Sequence, residues 1–323
     1  MSGGSSRLAE TTLPRLPIRY ATKSIDKLIR SRKVLDTCTD RLDALLHHFP
    51  VRARLFHSGS LCGVTRFDTP ESGGQLHLVQ HGELTVEHPG QAALHIGEPS
   101  LLFYPRPLAR RFISDPQAGA TLACAQLQFD GGADNPLAGA LPDVVCVSLK
   151  DIPGTQAILE LLFTEAFNHY CGREALLDRL FEAVFIQLLR YLMETGAIRG
   201  GMLAGMSHPR LRRALVAMHE QPQQDWTLDA LAALCGMSRS VFANSFRSTL
   251  GSTPGAYLQG WRISLAQQML RRGQALKLIA DAVGYGSEAA LARAFKAHCG
   301  QTPRAWRLAQ QPASLTTGQP VNQ

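Results

Sequence analysis

His77, His81 and Glu83 are residue types that hold a catalytic metal, and Cys62 and Cys124 carry thiols that can titrate or oxidise. On a regular strand His77 and His81 stand about 13 Å apart at about 3.3 Å per residue, so they share one ion only if the chain bends sharply at Gly82. The seven cysteines (38, 62, 124, 146, 171, 235 and 299) are odd in number, scattered and free of any C-x-x-C pair. That spacing excludes a zinc finger and argues against a disulfide framework, leaving most of them as small buried hydrophobes.

The metal-type and thiol residues sit in a β-rich stretch. Between 51 and 149, apolar runs rich in Val, Leu and Phe recur at about ten-residue intervals (54–67, 75–88, 93–104, 120–129 and 143–149) with Gly and Pro between them, the rhythm of a sandwich or barrel. His77, Val79 and His81 alternate with Leu76, Leu78 and Gln80, which gives that strand two distinct faces. A short helix is predicted from Leu42 to Phe49, stopped before Pro50. At 154–195 the period becomes helical. Ile158, Leu161, Leu162 and Glu165 begin one helix, Gly172 interrupts, and Leu176, Leu180, Val184, Leu188 and Tyr191–Leu192 trace an apolar stripe on a second. Two such helices either cover the barrel or pair with a second subunit. Gly196, Gly200, Gly201 and Gly205 mark 196–208 as a linker, residues 1–36 read as a flexible basic leader, and 309–323 as a flexible tail.

A length of 323 residues suits two domains. No apolar run is long enough for a spanning helix and the N-terminus lacks the layout of a secretion signal, so a soluble cytoplasmic protein is expected. The net charge of +7 is unevenly spread: +5 over 1–36, −6 over 37–204 and +8 over 205–323. A basic C-terminal third beside an acidic middle is an electrostatic footprint for a polyanion.

That basic third repeats itself. Leu228, Leu231, Ala232 and Gly236 match Leu276, Ile279, Ala280 and Gly284 at an offset of 48, while Ser238, Phe246, Gly251, Pro254 and Tyr257 match Ser287, Phe295, Gly300, Pro303 and Trp306 at 49. One turn is therefore a residue longer than the other. Each copy reads as a helix-turn-helix: a glycine ends the first helix, a serine caps the second, and Phe242 with Phe246, or Leu291 with Phe295, gives that helix an inner face. Residues 255–272 between the copies form a helix spanning roughly 27 Å at about 1.5 Å per residue, with Ala256, Trp261, Leu265, Met269 and Leu270 placed inward. Successive major grooves on one face of DNA lie about 34 Å apart.

The motifs G-M-S-x-x-x-F-x-x-x-F and G-x-T-P-x-x-Y and their second-copy relatives resemble the DNA-binding domain of the AraC/XylS family, over about 100 of the 323 residues. The strings HSGSLCG (57–63), LLFYPRP (101–107) and NPLAGALP (135–142) are similar to the cupin-type sensor domains of one branch of that family. The resemblance implies an α+β chain of two domains: a cupin-like β-barrel over 37–150 with following helices over 151–195, and an all-α domain of two helix-turn-helix units over 209–308. It further implies a transcription regulator that binds double-stranded DNA, answers a small-molecule or oxidant effector, forms a homodimer through the helices after the barrel, and meets RNA polymerase if it is an activator.

Carried over position by position, the resemblance places Ser240, Ala243 and Asn244 of the first unit and Glu288, Ala289 and Arg293 of the second at base edges. Asn suits adenine, Arg guanine and Glu cytosine, while the two alanines reach only a thymine methyl. Arg247, Arg262 and Lys296 suit phosphates. In the barrel two effector readings stand side by side: a ligand pocket in which Arg106 or His77 orients an anionic or polar group, and redox or metal sensing by Cys62 and Cys124 with His77. The alternative from another class is a cupin metalloenzyme fused to a helical module. Such enzymes supply a further His after a Pro/Gly turn, where Pro105–Phe112 offers Arg106, Arg110 and Arg111 instead, so no catalytic residue, metal or cofactor is expected.

Overall fold

Alternating apolar residues need a layer on each side, and the chain provides it with two sheets. The computed structural model describes residues 40–67 and 73–310; the expected leader, and the expected tail beyond residue 310, lie outside them. After a short helix α1 (Asp43–His48) come β1 (Val51–Leu61), β2 (Val64–Thr65), β3 (Gly74–His81), β4 (Leu84–Glu87), β5 (Leu94–Ile96), β6 (Ser100–Tyr104), β7 (Arg111–Ser114) and β8 (Ala120–Phe129). The helix α2 (Pro136–Ala140) then leads to β9 (Val145–Ser148). The pairing is antiparallel, in the orders β1-β8-β3-β6-β9 and β2-β7-β4-β5. The expected cupin-like barrel takes the form of two facing sheets that do not close. Short β2 and β5, at the edges of the second sheet, do not bridge the gap between the sheets with a continuous ladder.

The two faces expected for β3 are present. Val79, Leu102, Tyr104, Leu122, Cys124 and Phe112 form a core between the sheets. Leu76, Leu78, Leu101, Phe103, Ala123 and Ala125 point the other way, into a larger core shared with the helices. That outer face is covered by α4 (Arg173–Thr195), which follows α3 (Gln156–Phe167). Phe185 of α4 meets Phe103 and Phe129 at ring separations of 5.4 and 5.9 Å. Asp178 and Glu182 of the same helix accept hydrogen bonds from the Leu55 and Ala53 amides of β1, which satisfies an otherwise open edge. The stripe therefore covers the sheet, with Leu188 fully buried and Leu176 and Leu161 left exposed.

The segment expected as a linker, 196–208, instead contains a packed helix, α5 (Gly201–Ser207), with Met202, Leu203 and Met206 buried. Gly205 is there for contact: a Cβ at this position would lie 2.6 Å from Leu215 and 2.9 Å from Leu250. The described residues of the two domains, 40–67 and 73–310, belong to one compact unit.

Candidate nucleic-acid interface

The helical domain runs through α6 (Leu211–Glu220), α7 (Leu228–Leu234), α8 (Arg239–Leu250), α9 (Pro254–Arg271), α10 (Leu276–Ala282), α11 (Glu288–Cys299) and α12 (Pro303–Ala309). Helices α7 and α8 make one helix-turn-helix, α10 and α11 the other. Both turns use left-handed glycines, Gly236 at φ 60° and Gly284 at φ 81°, a conformation that costs a side-chain-bearing residue free energy. Ser238 and Ser287 cap α8 and α11 by accepting from the amides of Val241 and Ala290. Thr227, Thr253 and Thr302 cap α7, α9 and α12 in the same way.

Helices α8 and α11 each turn two large residues inward and leave a polar face outward. Phe242 and Phe246 of α8, like Leu291 and Phe295 of α11, are fully buried. Of the expected base-facing residues, Ser240, Asn244, Glu288, Ala289 and Arg293 are exposed and Ala243 is half-buried; Arg247 and Lys296 are exposed on the same helices. Arg262, expected at a phosphate, also has a structural role. It donates from Nε to the Pro222 carbonyl (2.7 Å) and from Nη2 to the Gln224 carbonyl (2.9 Å), and it is partly buried. Those bonds tie it to the loop before α7.

The same loop is held from the second unit. A Cβ on Gly284 would fall 2.7 Å from both the Cα and the O of Gln223, so the second turn seats directly on that backbone. Helix α9 runs between the units and against the sheet domain. Trp261 stacks on the buried His219 at 3.9 Å and meets Phe49 at 5.2 Å. Ala256, expected inward, is exposed, whereas Ile263 and Gln268 are buried, because α9 is covered from several sides. At its end, Gln268 and Arg272 donate to Asp130, and Arg271 donates to the Gly131 carbonyl and Asp134.

The effector candidates are dispersed. His77 is buried between the sheets, opposite Cys124 on β8 and Leu102 on β6. Burial, then Arg110 and His57, holds its imidazole well below the usual pKa, so it is neutral. Burial also pushes the Cys124 thiol well up, which keeps it protonated and unreactive. Cys62 is exposed at the far end of β1; the register places Cys124 beside His57, five residues away and so about 16 Å at about 3.3 Å per residue. A bridge between them needs Cα atoms within about 7 Å and is sterically excluded in this fold. Arg106 is bound to the 138–143 segment, donating to the carbonyls of Ala138 (2.5 Å) and Leu141 (3.1 Å) and to Asp143 (2.6 Å). The guanidinium beside His77 is instead that of Arg110, which contacts His77 Nε2 at 3.1 Å. From sequence alone Arg110 is marked only as a residue standing where a metalloenzyme would carry a ligand histidine. Both His81 and Glu83 are exposed, and among the described residues no group of three or more His, Cys, Asp or Glu side chains is placed to hold a metal.

Two families match the chain: Cupin over residues 40–194 and Helix-turn-helix domain over 231–309. The HTH-type transcriptional regulator AlkR of Acinetobacter baylyi is 35% identical over 178 residues, 54% of this chain and 58% of that protein. An uncharacterized HTH-type transcriptional regulator of Haemophilus influenzae is 27% identical over 298 residues, 83% of this chain and 98% of that protein. An AraC-like transcription regulator of Streptomyces lividans is 35% identical over 184 residues, 55% and 60% of the two chains.

Proposed function

The chain belongs to the AraC-type helix-turn-helix regulators, with a cupin-type domain ahead of its DNA-binding region, and from that premise we propose that it recognises a specific duplex sequence and regulates transcription there. The observation that carries this reading is the repeated capped helix, α8 and α11, with an aromatic or aliphatic pair buried on one side and polar side chains exposed on the other. Asn244, Arg293 and Glu288 suit adenine, guanine and cytosine edges, Ser240 adds a hydroxyl, and Ala243 and Ala289 meet thymine methyls. Arg247 and Lys296 hold phosphates. Selection of bound duplexes from a random pool tests this. A bipartite motif with subsites one helical turn apart is expected; a pool that gains no motif refutes sequence-specific recognition and leaves an architectural DNA binder.

The sheet domain receives the signal, a small molecule or an oxidant, and RNA polymerase is the further partner wherever the chain activates. A homodimer through the outer face of α3 and α4 completes the reading, since Leu161 and Leu176 stand exposed there. Sedimentation of Leu161→Glu/Leu176→Glu is expected to give the mass of one chain where the parent gives two. An unchanged mass would remove this face as the interface.

A further inference from the structure

Between the two sheets lies a charge without a counter-charge. Arg110 is 7% exposed, and among the described residues no carboxylate pairs with it. Its neighbours are neutral: it donates to the Leu108 carbonyl (2.8 Å) and to Gln75, contacts His77 Nε2, and its guanidinium carbon lies 4.0 Å from the centroid of the Tyr104 ring. Its Nε and the Nδ1 of His77 are buried with no hydrogen-bond partner. Tyr104 is held in turn by His88, whose Nε2 lies 2.8 Å from the phenol oxygen. These contacts fix the guanidinium in place and leave its charge unbalanced, an arrangement that destabilises a protein unless something compensates it.

A cavity of about 500 Å³, within the size range of small-molecule sites, opens at this point. Phe67, His88, Pro89 and Arg110 line it, with the exposed Arg66 and the Glu87–Arg111 pair at its rim. Phe67 stacks on His77 with ring centroids 5.7 Å apart, which gives the cavity an aromatic wall next to the buried cation.

Resting on the reading that the sheet domain receives the signal, we propose that this cavity binds a small organic monocarboxylate, its carboxylate on Arg110 and its apolar body against Phe67 and Pro89. Arg110 keeps single donors for an anion, since its Nε–H has no partner and Leu108 takes only one of the two Nη1 hydrogens. One unpaired buried charge calls for a single negative charge. At the rim Glu87 is paired with Arg111 and Arg66 also faces the cavity, so inorganic phosphate is the rival anion that the titration separates.

Calorimetric titration of the full-length chain with acetate, benzoate and octanoate, set against benzamide and inorganic phosphate, tests this. At least one carboxylate is expected to bind once per chain, with benzamide and phosphate at least about tenfold weaker. Arg110→Met should abolish that binding while leaving or raising the melting temperature, since an apolar side chain replaces an unpaired buried ion. If that variant fails to fold, the acid-to-amide ratio on the parent chain still decides. No carboxylate binding at millimolar concentration, benzamide or phosphate binding as tightly as the acid, or a folded Arg110→Met that still binds would overturn the proposal. DNA binding measured in the same samples separates the two readings: a chain that binds duplex but no carboxylate sinks this inference alone.

Discussion

The two turn glycines make a matched pair for mutation. Gly236→Ala meets open space, so its cost is the left-handed backbone alone, about 1–2 kcal/mol. Gly284→Ala carries the same backbone cost and also drives a methyl group to 2.7 Å from the backbone of Gln223. Backbone cannot swing aside as a flexible side chain can, and overpacking of this kind adds about 1–3 kcal/mol. The expected losses are therefore about 1–2 kcal/mol for the first variant and about 2–5 kcal/mol for the second. All three tryptophans, Trp226, Trp261 and Trp306, lie in the helical domain, so their fluorescence during urea unfolding reports on that domain. With a slope of about 2 kcal/mol per molar urea, the midpoint should fall by about 0.5–1 M for Gly236→Ala and about 1–2.5 M for Gly284→Ala. Coincident midpoints for the two variants would show that the second turn does not bear on the 222–224 loop.

Arg293→Ala is expected to lose about 1–3 kcal/mol of discrimination at one base pair, whereas Lys296→Ala should weaken binding to every duplex alike and reduce the salt slope by about one; identical profiles on a panel of single-base-changed sites would refute the assignment. His219, buried against Trp261 and 2.7 Å from the Tyr257 hydroxyl, has its pKa lowered by burial, and secondarily by His48, to about 3. Unfolding restores the usual value near 6.5, so its contribution is complete above pH 6.5 and is lost as pH falls toward 3, at about 1.4 kcal/mol per unit. The urea-derived stability at pH 5 should thus fall about 2 kcal/mol below that at pH 7, and His219→Phe should flatten that dependence; a parent chain with equal stability at both values would contradict it. Asp130→Ala/Asp134→Ala removes the carboxylate acceptors of Gln268, Arg271 and Arg272 and leaves Arg271 only the Gly131 carbonyl. Faster hydrogen exchange is expected together at 130–135 and 265–272, and unchanged exchange in either segment would show the contact to be incidental.

The helical domain was legible because its signals are local. A capping serine, a turn glycine and a Phe pair at i and i+4 depend on neighbours within a few residues, and each appears where the repeat put it. The sheet domain was legible as strands and faces and as a sandwich or barrel, but the choice between open and closed was not, since closure depends on strand lengths such as the two residues of β2. Glycine misled at 196–208. Four glycines in ten residues read as flexibility, yet Gly205 is small because Leu215 and Leu250 press on it, a tertiary reason that local sequence does not display. Arginine misled likewise. Arg262 and Arg106 donate to carbonyl oxygens 38 to 40 and 32 to 35 residues away, and a carbonyl has no sequence signature.

The grip on residues 222–224 has a bearing on genome sites. Arg262 holds two of those carbonyls while the second turn rests on the residue between them, so α8 and α11 behave as prongs of one stiff fork. A fork of set gauge tolerates substitutions within either target box more readily than a base inserted between the boxes. Insertion shifts one box along and around the helix axis, and the duplex must twist or bend to bring both back into reach. Natural operators for this protein should therefore vary in letters while keeping one spacer length.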